Sequence, residues 1–366
     1  MQGTDVVSWR DLPGRDREAW RAFRAADPGL RSPYFDLGWC DAVDRARGDL
    51  RVLRVLRRGE SAAFFPFHPG RMGTVRPAGG TFCDWRGFVA APAAAIDAPR
   101  VLAAAGLASL RFEGAPPSDR ALAPFGEPAD PSYLLDLSGG FETYARPAGR
   151  AAPKSMANFR RATRKLEADG RETRFILRDA RPETLAALIA LKSEQYRRTR
   201  HGDLLAWSWS RRLVDALHAS PSPAFEAVLS SLCIDGRLAA VHLGLRSGAV
   251  VHHWMPAYTP EFRPYMPGHL LTLGMARAFA AEGVTEMDLG ASDVHWKREF
   301  ANASAPRIRG VVHADSPAGR LNAAAFALGR RWAELPLGPA ARLPHKLSWR
   351  LDRGLGRFAP PPAPQG

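Results

Sequence analysis

The sequence predicts a mixed α+β fold in two units followed by a basic tail, and three observations carry that prediction. Short strand-like runs alternate with helical ones throughout, with Pro and Gly marking the breaks. From residue 151 the order reads strand, two helices, three strands, helix, two strands. A chain of 366 residues is long for one core and short for three. The expected divisions are 1–150, 151–316 and 317–366. Hydrophobic content of 46% and charged content of 24% exclude wholesale disorder.

In the first unit, Asp16 to Ala26 and Leu37 to Arg47 have helical periodicity. Leu50 to Arg58 (LRVLRVLRR) alternates as a strand, and Gly59 turns it into the following run SAAFFPFHPG. Strand-like pieces are expected at Gly73–Pro77 and Thr81–Val89, then a short helix from Pro99 and strands at SLRFEG and YLLDLS.

A short helix from Phe141 to Gly149 and a loose Pro/Gly/Ala linker lead into the second unit. The run KSMANFRRATRKLEADG predicts a helix capped by Ser155 and stopped by Gly170, with Met156, Phe159 and Leu166 as its apolar stripe. Arg160/Arg164 and Arg161/Lys165 are like-charged i,i+4 pairs costing roughly 0.2–0.5 kcal/mol each in isolation. Such a face either meets an anion or is simply solvated. Next come a strand at Thr173–Leu177, helices at Arg181–Arg198 and Trp207–Ala219, and strands at Phe225–Cys233, Leu238–Arg246 and Ala249–Trp254. Asp235-Gly236 and Ser247-Gly248 are hairpin signals between those strands. Pro267-Gly268 opens a long apolar helix that Glu282-Gly283 ends, followed by the strand TEMDLG and a last strand at Ile308–His313.

The net charge is +14, carried by 46 Arg and only five Lys. That field favours anionic partners, namely coenzyme A, phosphorylated sugars, lipid headgroups or nucleic acid. No zinc-finger, RNP or helix-turn-helix signature speaks for nucleic acid. No run reaches about 18 apolar residues, and the N-terminus carries charges where a signal peptide is apolar, so a cytoplasmic location is expected. Cys40, Cys83 and Cys233 are too far apart and too few for a disulfide framework or a metal motif. Residues 317–366 hold eight basic groups against two acids, with Trp332, Trp349 and a Pro-rich end. Two readings stand: peripheral contact with an anionic membrane, or a helix packed on the body with a tail.

A Pro-Gly turn delivering a helix N-terminus beside a strand end is a natural anion site. Backbone N–H groups there lack helical partners, and the helix dipole favours negative charge. A pyrophosphate such as that of coenzyme A is the fitting guest.

The residues carrying this pattern are Tyr258 shortly after a hairpin, Tyr265-x-Pro267-Gly268-x-Leu270-Leu271, Asp288-Leu289-Gly290 and Trp296-Lys297. Together they resemble the acyl-CoA-binding core of the GNAT acetyltransferase superfamily. The likeness is to the CelD-like branch found with cellulose and exopolysaccharide genes, akin to the FemAB peptidyltransferases. It spreads over Lys154 to Val311 and is loose in the first 150 residues. The resemblance implies a GNAT-like α/β mixed fold, tandem with a degenerate N-terminal copy, in which two parallel strands splay around the cofactor. It implies acetyl-CoA or another acyl-CoA as co-substrate and no metal. Tyr265, Pro267, Gly268, His269, Leu270 and Lys297 are the implied cofactor-binding positions. Gly268 fills the first glycine of the superfamily signature, whereas Tyr265 and Leu270 replace its other two positions.

Acyl transfer to an amine requires a deprotonated amine, a held oxyanion and a protonated leaving thiolate. Asp288, at a strand end, is placed either to take the amine proton or to cap the following turn; Asp293 is a second candidate of that kind. His252 and His253 point to opposite faces of a strand, so at most one serves as base in the cleft; either could by position, and His253 is taken as the catalytic candidate. Tyr258 and Tyr265 offer hydroxyl donors. Trp207 and Trp209, with Arg164, are candidates for the acceptor side, a tryptophan wall suiting a sugar. No Ser-His-Asp order, nucleophilic Cys motif, phosphate-binding loop or metal cluster emerges. The expected activity is N-acyl transfer from acyl-CoA to an amine, such as an amino sugar or an envelope-polysaccharide precursor. Two rivals are a FemAB-like transferase using aminoacyl-tRNA and a non-catalytic, membrane-peripheral accessory protein of polysaccharide synthesis.

Overall fold

The computed structural model describes residues 2–146, 148, 153–199, 202–219, 222 and 224–334. In the first half the elements are β1 (Gln2–Ser8), α1 (Gly14–Ala26), α2 (Leu37–Arg47), β2 (Arg51–Arg57), β3 (Glu60–Pro69), β4 (Thr74–Pro77), β5 (Val89–Ala90), α3 (Ala98–Ala104), β6 (Ser109–Ala115), β7 (Gly126–Asp136) and α4 (Gly140–Ala145). In the second they are α5 (Lys154–Ala168), β8 (Thr173–Ile176), α6 (Pro182–Arg198), α7 (Ser208–His218), β9 (Phe225–Ile234), β10 (Arg237–Ser247), β11 (Val250–Tyr258), α8 (Pro267–Ala281), β12 (Glu286–Asp288), α9 (His295–Phe300), β13 (Ala303–His313) and α10 (Pro317–Glu334).

One sheet runs through both halves in the order β1-β2-β3-β4-β6-β13-β7-β12-β11-β10-β9-β8. Read from either end, the succession is the same: three antiparallel steps, one parallel pair, then a strand from the other half. The parallel pairs are β4 with β6 and β11 with β12. The strand after each pair crosses over, so β7 lies against β12 and β13 lies against β6, and the two pair with each other at the centre. The halves therefore exchange their last strands. The expected division at 150/151 falls between α4 and α5, outside the described residues, while the sheet continues across it.

Three cores follow from this arrangement. On one face, α1, α2, α6 and α7 share a cluster that includes Trp9, Trp20, Trp39, Leu188, Trp209 and Leu243. On the other face of the second half, α5 and α8 bury Met156, Leu166, Leu271 and Phe279 against Val251 and Met287. In the first half, Val101 and Leu102 of α3 pack on Leu53, Phe65 and Phe112.

Four local expectations are corrected. Thr81–Val89 is not a strand. Gly79 and Gly80 adopt φ of 77° and 56°, the chain makes a 3-10 turn at Gly80–Phe82, and only Val89–Ala90 pairs with β3. Ser155 does not cap α5; Pro153 holds that position, and the Ser155 hydroxyl lies 3.1 Å from Tyr144 Oη inside the first turn. The turn between β10 and β11 is Gly248-Ala249 rather than Ser247-Gly248, since Ser247 pairs with Val250. The strand expected to end at Trp254 continues to Tyr258. Of the basic segment 317–366, α10 is described and residues 335–366 lie outside the described part. No helix among the described residues is long and apolar enough to cross a membrane.

Candidate active site

β11 and β12 share only three rungs, from Val250↔Glu286 to His252↔Asp288. Beyond them β12 stops and β11 runs on, so a gap opens between the two strands. The stop is built into the backbone. Gly290 has φ of 78°, and a Cβ there would fall 2.7 Å from Asp84 Oδ2, so only glycine fits.

Beside the gap, on the α8 face, lies a cavity of about 420 Å³. His253, Pro256 and Tyr258 of β11 line it, as do Pro267, Gly268, His269 and Thr272 of α8 and Trp296 and Phe300 of α9. No Asp or Glu is among its lining residues, and Arg263 stands at its edge. The anion cradle expected at the helix start is smaller than the sequence suggested. Met266 adopts φ of 50° and ψ of 51°, and its carbonyl accepts the N–H groups of His269 (2.9 Å) and Leu270 (3.2 Å). Pro267 has no N–H. Among the described residues, Gly268 alone keeps an unpartnered amide at this end. Cationic side chains supply what the backbone does not. Arg161 meets Asn158 Oδ1 and Met266 Sδ, each at 3.3 Å, with no carboxylate partner among the described residues. Arg160 and Arg164 lie exposed on the same helix.

Two of the cofactor-binding expectations need correction. Tyr265 Oη donates to Asp169 Oδ2 at 2.9 Å and accepts from Arg171 Nε at 3.3 Å, so its hydroxyl braces α5 and does not line the cavity. Leu270 is buried in the α8 core, and its neighbour Leu271 faces the cavity instead. Pro267, Gly268 and His269 do line it; His269 Nε2 lies 3.1 Å from Glu299 Oε2. Lys297 is buried and donates to the Ala291 carbonyl and, at 3.4 Å, to Ser292 Oγ. Its neighbour Trp296 turns the other way, its ring 5.5 Å from that of His253.

The other face of the gap holds a set of charges. The His252↔Asp288 rung puts both side chains on one face, and loop 83–88 of the first half brings Asp84 and Trp85 against them. His252 sits between two carboxylates, with Nδ1 3.5 Å from Asp288 Oδ2 and Nε2 3.3 Å from Asp84 Oδ2. Asp288 is enclosed. Trp85 Nε1 donates to its Oδ2 at 2.7 Å, and Gly290 N (2.7 Å) and the Ser132 hydroxyl donate to its Oδ1. Burial opposes its charge, but His252, Ser132 and Gly290 outweigh that and hold it well below the usual carboxylate range. With three hydrogen bonds and the His252 ion pair, the Asp288 carboxylate is committed to capping its turn and steadying His252. For His252, burial pushes the pKa down, and the two carboxylates, Asp288 foremost, push it up to about 9. Lys297 is shifted down by burial, against the pull of Asp84 and Asp288.

His253, on the opposite face as strand alternation requires, stacks on His242 of β10 with ring centroids 4.0 Å apart. The Thr272 hydroxyl donates to the Gly268 carbonyl at 2.8 Å, so it accepts from His253 Nε2 at 3.3 Å. Burial first, then His252, Lys297 and Lys192, push His253 down to about 3. It is a neutral ring near pH 7. Tyr258 ends β11 at the cavity edge, 38% exposed.

The acceptor-side expectations are scattered. Trp209 is buried between Phe82 and the Arg47 guanidinium, with Trp207 stacked on it, and neither lines a cavity named here. Asp293 is paired with Arg298 and accepts from Tyr133 Oη at 2.8 Å. Arg164 stands on the exposed face of α5. Sequence reasoning missed Asp84, Trp85, Ser132 and Tyr34, whose ring lies 4.9 Å from His252.

The raised pKa of His252 gives a signed expectation for stability. Its charged form is favoured in the folded state, so the contribution is full below about pH 6.5 and is lost as pH rises through about 9. Native protein should lose about 3 kcal/mol more unfolding free energy across that window than His252→Gln, whose side chain does not titrate. Urea unfolding at pH 6.5 and 9 measures the difference, and equal slopes in the two proteins would refute it.

Residues 153–298 match the family model described as an acetyltransferase (GNAT) domain. Among solved structures, the chain is similar to the C-terminal domain of a protein described as a lysylphosphatidylglycerol synthetase from Agrobacterium fabrum. That pair has 14% identity and a TM-score of 0.51, over 86% of this chain and 96% of that one. It is similar to a tandem GNAT protein of the clavulanic acid biosynthesis pathway at 14% identity and TM-score 0.51, over 86% and 99%. FemX matches at 11% identity and TM-score 0.51, over 81% and 94%. No curated protein sequence matches. At such identities the structural likenesses speak for the fold alone: a mixed α/β GNAT fold, as the resemblance implied. Among the described residues, the first half has no counterpart of the long α8 between its own parallel strands β4 and β6. Its α3 is seven residues long, and Asp97 already occupies the N-terminus by accepting from Arg100 N at 3.2 Å. Among the described residues no group of three His, Cys, Asp or Glu side chains is arranged to hold a metal ion.

Proposed function

We propose that this protein is an N-acyltransferase of the CelD-like kind, moving an acyl group from coenzyme A to an amine such as that of an amino sugar. The observation that carries the proposal is the cavity beside the splayed β11 and β12, free of carboxylates in its lining and opening at the start of α8. A long, mostly apolar arm ending in an anionic head suits such a space. The arm lies among Leu271, Trp296 and Phe300, and the head meets Arg263, Arg161 and the Gly268 amide. The acyl group then reaches the gap, where His252, Asp84 and Lys297 stand on the far side. Positioning two bound substrates there supplies much of the rate. Pro267, Gly268 and His269 contact the donor in this reading, and Tyr258 at the cavity rim is the hydroxyl best placed to protonate the leaving thiolate.

Calorimetric titration with acetyl-CoA tests it directly. Saturable heat with micromolar to sub-millimolar affinity is expected, and silence at millimolar ligand would sink the donor assignment.

Arg160 and Arg164, exposed one turn apart with no partner among the described residues, favour a second reading in which the donor is an aminoacyl-tRNA. Competition separates the two, since only that reading has charged tRNA displacing bound acyl-CoA better than uncharged tRNA. A third reading, membrane-peripheral docking without catalysis, draws on Leu321 and Leu328 of α10, which are 60% and 68% exposed. Pelleting with anionic vesicles reads it out.

A further inference from the structure

We propose that a second cavity, on the face of the sheet opposite the α8 cavity, is a binding site for the ring of a neutral sugar. The inference goes beyond the acyl-transfer reading and does not depend on it.

The cavity measures about 330 Å³, inside the range of small-molecule sites, roughly 300–1,000 Å³. Both halves build it. The first supplies Arg31, Ser32, Trp85 and the loop Pro116-Pro117-Ser118, and the second supplies Glu286 and Asp288 of β12 and Ser304 to Pro306 of β13. Glu286 and Asp288 are two apart on a strand, so they share the face that carries His252, away from His253 and the α8 cavity. The walls are held before any ligand arrives. Asp119 accepts from Phe88 N at 2.8 Å, Ala121 N at 3.0 Å and Leu122 N at 3.1 Å, which ties the proline loop to the Trp85 loop. Arg24 donates to the carbonyls of Leu30, Arg31 and Ser32 at 3.1, 3.1 and 3.4 Å. Arg31 meets Glu286 through two bonds, Nε to Oε1 at 3.0 Å and Nη2 to Oε2 at 2.8 Å, and this fork spans the two halves. Three properties of the lining select the ligand. Its charges are matched, Arg31 by Glu286 and Asp288 by His252, so neither a phosphate nor an ammonium group meets an unpaired opposite charge. Trp85, Pro116, Pro117 and Pro306 give it apolar surface, and the prolines add no N–H. The hydroxyls of Ser32, Ser118 and Ser304 can each donate and accept. Ser32 is 5% exposed and its hydroxyl has no hydrogen-bond partner among the described residues, an uncommon state that a ligand hydroxyl would relieve. A pyranose ring combines the matching features, an apolar C–H face and an edge of uncharged hydroxyls.

Saturation-transfer NMR and calorimetry on the full chain, with glucose, maltose and cellobiose and without coenzyme A, test the site. Saturable millimolar binding is expected, and salt should change it little. A disaccharide that binds more tightly than glucose assigns the ring to a sugar chain, and equal affinities assign it to a monosaccharide. Glucosamine hydrochloride and glucose 6-phosphate should bind no more tightly than glucose. Ser304→Trp fills the cavity from an exposed position on β13 and should weaken the sugar at least tenfold. Ser118→Ala removes a hydroxyl at the exposed rim and should weaken it roughly two- to tenfold, the worth of one hydrogen bond. The alanine variant guards against misfolding of the bulkier one, and both should keep the native Tm. Native affinity in both variants, no sugar binding by native protein, or binding of the charged sugars without glucose overturns the assignment.

Discussion

Asp288→Asn should lose about 3–5 kcal/mol of unfolding free energy at pH 6, although the substitution conserves shape. The reason is what Asp288 holds. Its carboxylate accepts from Trp85 Nε1, Ser132 and Gly290 and lies beside the His252 imidazolium, all of it buried. An amide group presents its NH₂ toward one side of that set, so either the indole donor or the backbone donor meets another donor. The imidazolium at the same time loses the larger of its two counter-charges, and an uncompensated buried charge is what makes breaking such a pair costly. His252 escapes by shedding its proton, which caps the penalty. The deficit should therefore shrink as pH approaches 9, where native His252 loses its proton too. Urea unfolding at the two pH values measures this. A deficit below about 1 kcal/mol at pH 6, or one independent of pH, would mean the cluster is not the charged network described here.

The same cluster shows what the amino-acid sequence reveals and what it hides. The Pro267-Gly268 helix start, the strand ending at Asp288 and the opposed faces of His252 and His253 are local properties. They follow from turn residues and from the period-2 rule, and all three were legible. Asp84 was not. It reaches His252 across 168 positions, through a strand exchange that no local pattern announces, and two consecutive glycines turn its loop out of the expected strand. The helix N-terminus failed for a different reason. Whether amides at a helix start are free depends on the φ and ψ of the residue before it, and left-handed Met266 folds its carbonyl back to consume two of them. Trp209 illustrates the usual ambiguity of an aromatic residue expected on a substrate wall. Here burial between Phe82 and Arg47 outcompeted exposure to a ligand.

Gly268→Glu separates stability from binding by moving them in opposite directions. Gly268 is the second residue of α8, and a Cβ there meets nothing within 4 Å, so the larger residue fits. Replacing glycine inside a helix is worth roughly 0.5–1 kcal/mol, and a carboxylate in the first turn of the dipole adds about 0.3–1 kcal/mol. The variant should be at least as stable as the native protein. Under the acyl-CoA proposal its donor affinity should collapse, because the new charge stands on the cavity lining beside Arg263, where that proposal puts the anionic head. Two like charges about 5 Å apart at an effective dielectric near 20 repel by about 3 kcal/mol, which corresponds to a loss of roughly a hundredfold. Gly268→Gln carries nearly the same volume without charge, shares the gain in helix propensity and should bind acetyl-CoA within a few-fold of native. Raising salt should recover part of the Glu variant's loss and change the Gln variant little. If Glu and Gln weaken the donor equally, bulk and not charge is responsible, and the anionic head of the donor does not lie at the start of α8.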